Sequence, residues 1–126
     1  MIPKLKEIAK DIFNELGSGH EEAIYQKAFE VALRLEKIAY ESQKIVPVFY
    51  KKYNVGIGRP DIIVNDSKGK ILIELKAISS TLSLKEETQV RKYIEVLGIK
   101  DALLINFPQP SSKEVPNLPE FREVKL

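Results

Sequence analysis

The sequence predicts a mixed α/β domain, and three observations predict it. Apolar residues at three- and four-residue steps fill the first third of the 126-residue chain, short runs of strand-forming residues fill the middle, and one more helical segment separates the last two aliphatic runs. At 44% hydrophobic and 30% charged residues, the chain has the mixture that supports a core, and its length predicts a single domain over residues 1–126.

Each element has its own signal. Leu5, Ile8, Ala9, Ile12, Phe13 and Leu16 form one helical stripe, which Gly17 can end. Ser18 and Glu21 have capping-box spacing and would start a second helix running to about Lys37, with Ile24, Ala28, Val31, Ala32 and Leu35 as its core face. Ile45 to Tyr50 reads as a strand that Pro47 places at an edge or a bulge, Lys51 to Asn54 as a hairpin connection, and Val55 to Val64 as the returning strand. Asn65 to Gly69 is a turn by composition, and Ile71 to Ala77 is a strand apolar enough to be buried on both faces. Ser83 and Glu86 cap a helix from Leu84 to Leu97 that Gly98 stops. Ala102 to Phe107 is a second buried strand, parallel to the previous one across that helix. Four prolines then precede Phe121, so residues 108–126 read as an irregular segment closing with a short strand from Phe121 to Leu126. That segment is open to three readings: a dimer contact, a flap over a site, or a tail.

Composition excludes several chemistries. With no cysteine there are no disulfides, thiolate metal sites, iron–sulfur clusters or cysteine nucleophiles, and a single histidine, His20, excludes a multi-histidine zinc site. Any metal must be held by oxygen, which points to magnesium or manganese. The net charge of +2 selects no partner by itself. No apolar run approaches a membrane span, and the first residues, Met1 to Glu7, carry no secretory h-region; a cytoplasmic protein with no membrane partner and no small-molecule organic cofactor is expected.

Two apolar strands contain charges that a dry core does not accept. Asp61 sits in Arg59-Pro60-Asp61-Ile62-Ile63-Val64, and Glu74 and Lys76 sit on one face of the strand that follows. An antiparallel pairing of the two strands brings Asp61 and Glu74 together across the short turn. Like charges so placed repel unless a cation lies between them. A divalent metal would resolve the conflict, and a buried Glu74–Lys76 ion pair is the competing reading. Acid-x-Lys also occurs as Asp66/Lys68 and Glu123/Lys125, but the first lies in a turn and the second in what reads as an exposed tail. Other residues gather around this pattern. Glu22 and Tyr25 lie one turn apart at a helix start, where Glu21 reads as a dipole partner and His20 as a surface residue. Gln89 and Tyr93 share a face of the helix that follows the Glu74 strand. Lys44, Lys51, Lys52 and Arg59 flank the hairpin with no acid between Lys44 and Arg59, and Tyr50 and Tyr53 stand beside them. That hairpin either tracks phosphates and stacks bases or is a solvated edge that discourages strand pairing. Arg91 and Lys92 are further phosphate candidates.

In order, Gly19-x-x-Glu22, Pro60-Asp61, Glu74-Leu75-Lys76 and Gln89-x-x-x-Tyr93 resemble the motif series of the PD-(D/E)XK nuclease superfamily in its RecB-like branch, and more closely the small family named for its Gly-x-x-Glu-x-x-Tyr motif, here Gly19, Glu22 and Tyr25. The resemblance covers about residues 5–107. It implies a three-layer, restriction-endonuclease-like α/β core whose mixed central sheet is flanked by helices. It also implies magnesium or manganese held by Asp61, Glu74 and the Leu75 carbonyl, with Glu22 completing the set directly or through water. Lys76 would orient or help deprotonate the attacking water, and Gln89 and Tyr93 would position the site or the phosphate. The implied activity is metal-dependent hydrolysis of DNA (duplex, single-stranded or branched) by a monomer or homodimer. The alternatives are a Holliday-junction resolvase and a non-catalytic nucleic-acid-binding accessory protein of the same fold.

Overall fold

A computed structural model describes residues 1–126. Helices α1 (Ile2–Leu16) and α2 (Glu22–Leu35) lead into five strands, β1 (Tyr40–Ser42), β2 (Val46–Tyr50), β3 (Tyr53–Gly58), β4 (Ile62–Asp66) and β5 (Gly69–Lys76). Helix α3 (Leu84–Leu97) then connects to β6 (Asp101–Asn106) and β7 (Glu120–Lys125). Five strands form the central sheet in the order β1-β4-β5-β6-β7, in which only β5 and β6 are parallel. Strands β2 and β3 pair only with each other, as a separate antiparallel hairpin.

Period-two alternation divides the sheet between two cores. Ile62, Val64, Ile71, Ile73, Leu75, Leu103 and Ile105 pack with α1 and α2, while Ile63, Leu72, Ala102, Leu104 and Val124 pack with Val90 and Ile94 of α3. The result is the three-layer mixed α/β arrangement of a restriction-endonuclease-like core. Helix α3 has the limits its sequence predicts. Ser83 and Glu86 form a reciprocal capping box, and Gly98 closes the helix in the left-handed conformation at φ 68°.

The structure corrects five expectations. Helix α2 buries Tyr25, Phe29 and Leu33, with Ala28 and Ala32 at the margin, while Ile24, Val31 and Leu35 face outward. Outside the polar stripe of Gln26, Lys27, Glu30 and Arg34 the apolar arc of this helix is wider than one contact face, and the sheet takes the part carrying the larger aromatic volume. The helix begins at Glu22, with Glu21 at the cap position and no side-chain cap bond, so the Ser18/Glu21 capping box does not form. Its place is taken by long-range bonds: the Tyr25 hydroxyl donates to the Gly17 carbonyl at 2.7 Å, and the Gly19 N–H donates to Gln109 at 2.9 Å. The span Val55 to Val64 is two strands in two sheets, because Pro60 supplies no N–H to continue a ladder. The hairpin turn shrinks to Lys51 and Lys52, with Tyr53 already in β3 and a register shift between Val48 and Phe49. Residues 108–119 carry the chain from β6 back to β7, which makes Glu123 and Lys125 part of an edge strand rather than a tail.

Candidate active site

The β4–β5 register pairs Ile62 with Ile73, so Asp61 and Glu74 meet where the two strands part. Each is fixed by a backbone N–H of the facing segment. The Asp61 N–H donates to Glu74 Oε1 at 3.1 Å, and the Leu75 N–H donates to Asp61 Oδ2 at 2.7 Å. The ladder stops at Ile62 and Ile73; the chain bends at Asp61, and Pro60 before it has no N–H to offer β5. The Leu75 N–H points toward Asp61, and in an extended strand a residue's C=O points to the same side as its N–H, so no β4 N–H is left to pair with the Leu75 carbonyl. The Pro-Asp pair thus ends the ladder, replaces a backbone acceptor by a carboxylate and leaves a carbonyl oxygen open beside it.

The electrostatics of this corner are unfavourable without a cation. Glu74 is only 4% exposed. Burial and the neighbouring Asp61 carboxylate push its carboxyl up to about 8, and burial also raises Asp61. None of the four ion pairs in the protein involves either acid, so the competing Glu74–Lys76 ion pair does not form. Lys76 instead donates to Gln89 Oε1 at 3.5 Å, close enough for its charge to act on both acids without contact. Glu22, at the start of α2, is raised by partial burial and then by the charge of Asp61, which places it on the same corner. Tyr93 is raised by burial and by the charge of Glu74; Gln89 Nε2 donates to its hydroxyl at 3.4 Å, and the Arg59 backbone N–H faces it. Three elements, α2, β5 and α3, and the bend before β4 therefore bring Glu22, Asp61, Glu74, Leu75, Lys76, Gln89 and Tyr93 to one end of the sheet.

These residues suit a hard divalent cation. A backbone N–H occupies one oxygen of each carboxylate, and the two carboxyls also hydrogen-bond to each other, a contact that a cation would replace; with the Leu75 carbonyl they make an all-oxygen donor set suited to magnesium or manganese. No three His, Cys, Asp or Glu side chains converge as a ready ligand set, so Glu22 stands beyond the Asp61–Glu74 pair.

The remaining candidates spread out. Lys51, Lys52, Tyr50 and Tyr53 are exposed at the hairpin tip, with the Lys51 ammonium 5.3 Å from the Tyr50 ring centre. Lys44 and Arg59 are exposed at the two ends of the hairpin, and Arg59 precedes the Pro60-Asp61 corner directly. Lys92 lies on the Gln89 side of α3, whereas the Arg91 guanidinium donates to the Lys125 carbonyl at 2.6 Å and is committed to β7. Tyr25 is fully buried, stacked on Phe107 at 4.4 Å between ring centres, so it anchors the loop that presents Glu22. His20 rests edge-on against it.

Two residues escaped the sequence reading. Gln26 Nε2 donates to the Asp61 carbonyl at 3.2 Å and holds the acid's backbone from α2. Asn106, wholly buried, accepts from the Ile78 N–H at 3.0 Å and donates to the Ile78 and Ser80 carbonyls and to Glu120, pinning the loop after Lys76. A polar residue inside the aliphatic run Ala102 to Phe107 was the available signal for Asn106, the same signal that marks Glu74.

The family model of the PD-(D/E)XK nuclease superfamily matches residues 1–118, and the chain belongs to that superfamily. A solved structure described as the crystal structure of SSO0001 is similar, at TM-score 0.60 and 17% identity over 82% of this chain. The match spans about half of that protein, 48% of its chain, and at this identity it speaks for the fold. No curated protein matches the sequence. No helix is long and apolar enough to cross a membrane.

Proposed function

We propose that the protein is a magnesium- or manganese-dependent nuclease that hydrolyses phosphodiester bonds of DNA, in the RecB-like branch and close to the small family whose Gly-x-x-Glu-x-x-Tyr motif is here Gly19, Glu22 and Tyr25. The observation that carries this reading is the buried Asp61–Glu74 pair, which has no cation of its own, borders an open backbone carbonyl and has a lysine standing just behind it. Asp61, Glu74 and the Leu75 carbonyl would hold the cation, with Glu22 reaching it through water. When bound, the cation would neutralise charge on the phosphoryl oxygens and make an attacking water more acidic. Lys76, held by Gln89 rather than by a carboxylate, can orient that water or take its proton, since a nearby cation lowers an ammonium's pKa. The Tyr93 hydroxyl and the Gln89 amide are placed to hold a phosphate oxygen, and Lys51, Lys52, Lys44, Arg59 and Lys92 to follow the backbone.

The test is cleavage of labelled single-stranded, duplex, flapped and four-way-junction DNA, and of RNA, with magnesium, manganese or EDTA. Wild type is compared with Asp61→Asn and Lys76→Ala proteins shown to be folded. The reading expects metal-dependent cleavage of DNA reduced at least about a hundredfold by either substitution. Cleavage untouched by both would refute it. Paired nicks in junctions by a dimer would assign a resolvase, and metal binding with no cleavage of any substrate would assign the accessory role.

A further inference from the structure

We infer that the cleft between the β2–β3 hairpin and α3 is a subsite for unpaired bases, which directs the nuclease toward substrates with a single-stranded segment. This deepens the nuclease reading and rests on it. The hairpin belongs to no larger sheet and leans on α3, leaving a groove of about 670 Å³ between them. Its walls are Val46, Val48, Phe49 and Ile57 from the hairpin and Tyr93 and Val96 from the helix. Gly58 sets the close approach at its base, since a Cβ there would lie 2.6 Å from Cε1 of Tyr93. Phe49 is 58% exposed, a large cost in apolar surface for a side chain with no occupant beside it.

The occupant follows from what adjoins the groove. Gln89 and Lys92 line it and also line a second cleft of about 480 Å³ that contains Lys76 and Lys85. A continuous path therefore runs from the proposed hydrolytic corner past three lysines to an apolar, aromatic-walled slot. A single strand has matching chemistry, with phosphates for the lysines and flat apolar base faces for Phe49 and Tyr93. A duplex does not, because its base faces are already stacked and paired. Two acids border the path. Glu86 is held by the Ser83 cap, and Glu95 lies in the apolar groove, where the proposal places bases rather than phosphates. The exposed Tyr50 and Tyr53 at the hairpin tip extend the same surface outward.

Fluorescence anisotropy in EDTA tests this without cleavage, using labelled single-stranded 20-mers of DNA and RNA and a blunt 20-base-pair DNA duplex. The variants are Phe49→Ser and Val96→Asp, both at exposed positions outside the proposed catalytic set, checked for folding by urea denaturation. Each is expected to weaken single-strand binding at least about fivefold while changing duplex binding less than twofold. Equal effects on both ligands, or none on either, would overturn the inference. So would variants that leave single-strand binding intact but abolish self-association in sedimentation, which would give the groove to a second copy of the chain. If wild type binds and cleaves DNA through Asp61 with no single-strand preference, only this inference fails. If it binds no nucleic acid, both readings fail.

Discussion

Replacing Glu74 by glutamine should stabilise the metal-free protein above neutral pH and leave it nearly unchanged at pH 4. Glutamine keeps an oxygen to accept the Asp61 N–H and offers Asp61 a donor in place of a like charge. Glu74 has its ordinary value of 4.5 when exposed and about 8 in the fold. The folded state thus binds this proton more tightly than the unfolded chain does. Stability from it is complete below pH 4.5 and is lost as pH rises through 8. The two values set a ceiling of ~5 kcal/mol lost by pH 9, with ~3 kcal/mol already lost at pH 7. Local opening that admits water relieves part of this, so an observed gap of ~2–4 kcal/mol at pH 9 is expected. Urea denaturation of wild type and Glu74→Gln at pH 4, 7 and 9 in EDTA measures it, with the variant's advantage growing with pH. A variant no more stable than wild type at pH 9 would refute the argument that the acid pair is held at electrostatic cost.

Three further outcomes are expected. Asn106→Ala leaves the Ile78 N–H and the Ser80 carbonyl unpaired, although the Ile78 carbonyl keeps the Gln109 N–H, and should cost ~2–3 kcal/mol in urea denaturation while loosening the loop after Lys76. Gly58→Ala drives a methyl group into the Tyr93 ring, so thermal denaturation should show a loss of ~1–3 kcal/mol, and the rate of DNA cleavage should fall with it. On α2, Phe29→Ala should cost ~3–5 kcal/mol whereas Val31→Glu stays within about 0.5 kcal/mol, a contrast that equilibrium unfolding resolves directly.

Much of the site was legible because its residues break local rules. Asp61, Glu74 and Lys76 are charges inside aliphatic runs, and the period of two together with a short turn is enough to put both acids at one corner. Gln89 and Tyr93 follow from helical spacing on the element after them. Gln26 was not legible, because a glutamine on a helix breaks no rule. Only the packing of α2 against the sheet brings its amide to the Asp61 carbonyl. Arg91 and Lys92 are neighbours in sequence, yet the helical turn sends one to β7 and the other to the cleft.

The sequence by itself determined the elements whose signals are local. Helix α3 begins at its own capping box and ends at its own glycine, and β5 and β6 are aliphatic on both faces, so each needs a layer above and below. Tertiary structure decided what depends on distant partners. Helix α2 has a polar stripe of Gln26, Lys27, Glu30 and Arg34, but the apolar arc left over is wider than one contact face; the sheet chooses within that arc, by burying Tyr25, Phe29 and Leu33. The loop before it follows Tyr25 and Gln109 rather than a capping box, because hydrogen bonds to a buried hydroxyl and to a residue 90 positions away prevail over a local cap. The strand that divides at Pro60 joins two sheets for the same reason. A local pattern marks where a chain can be extended, but which edge it pairs with depends on which other strand has unpaired N–H and C=O groups to offer it.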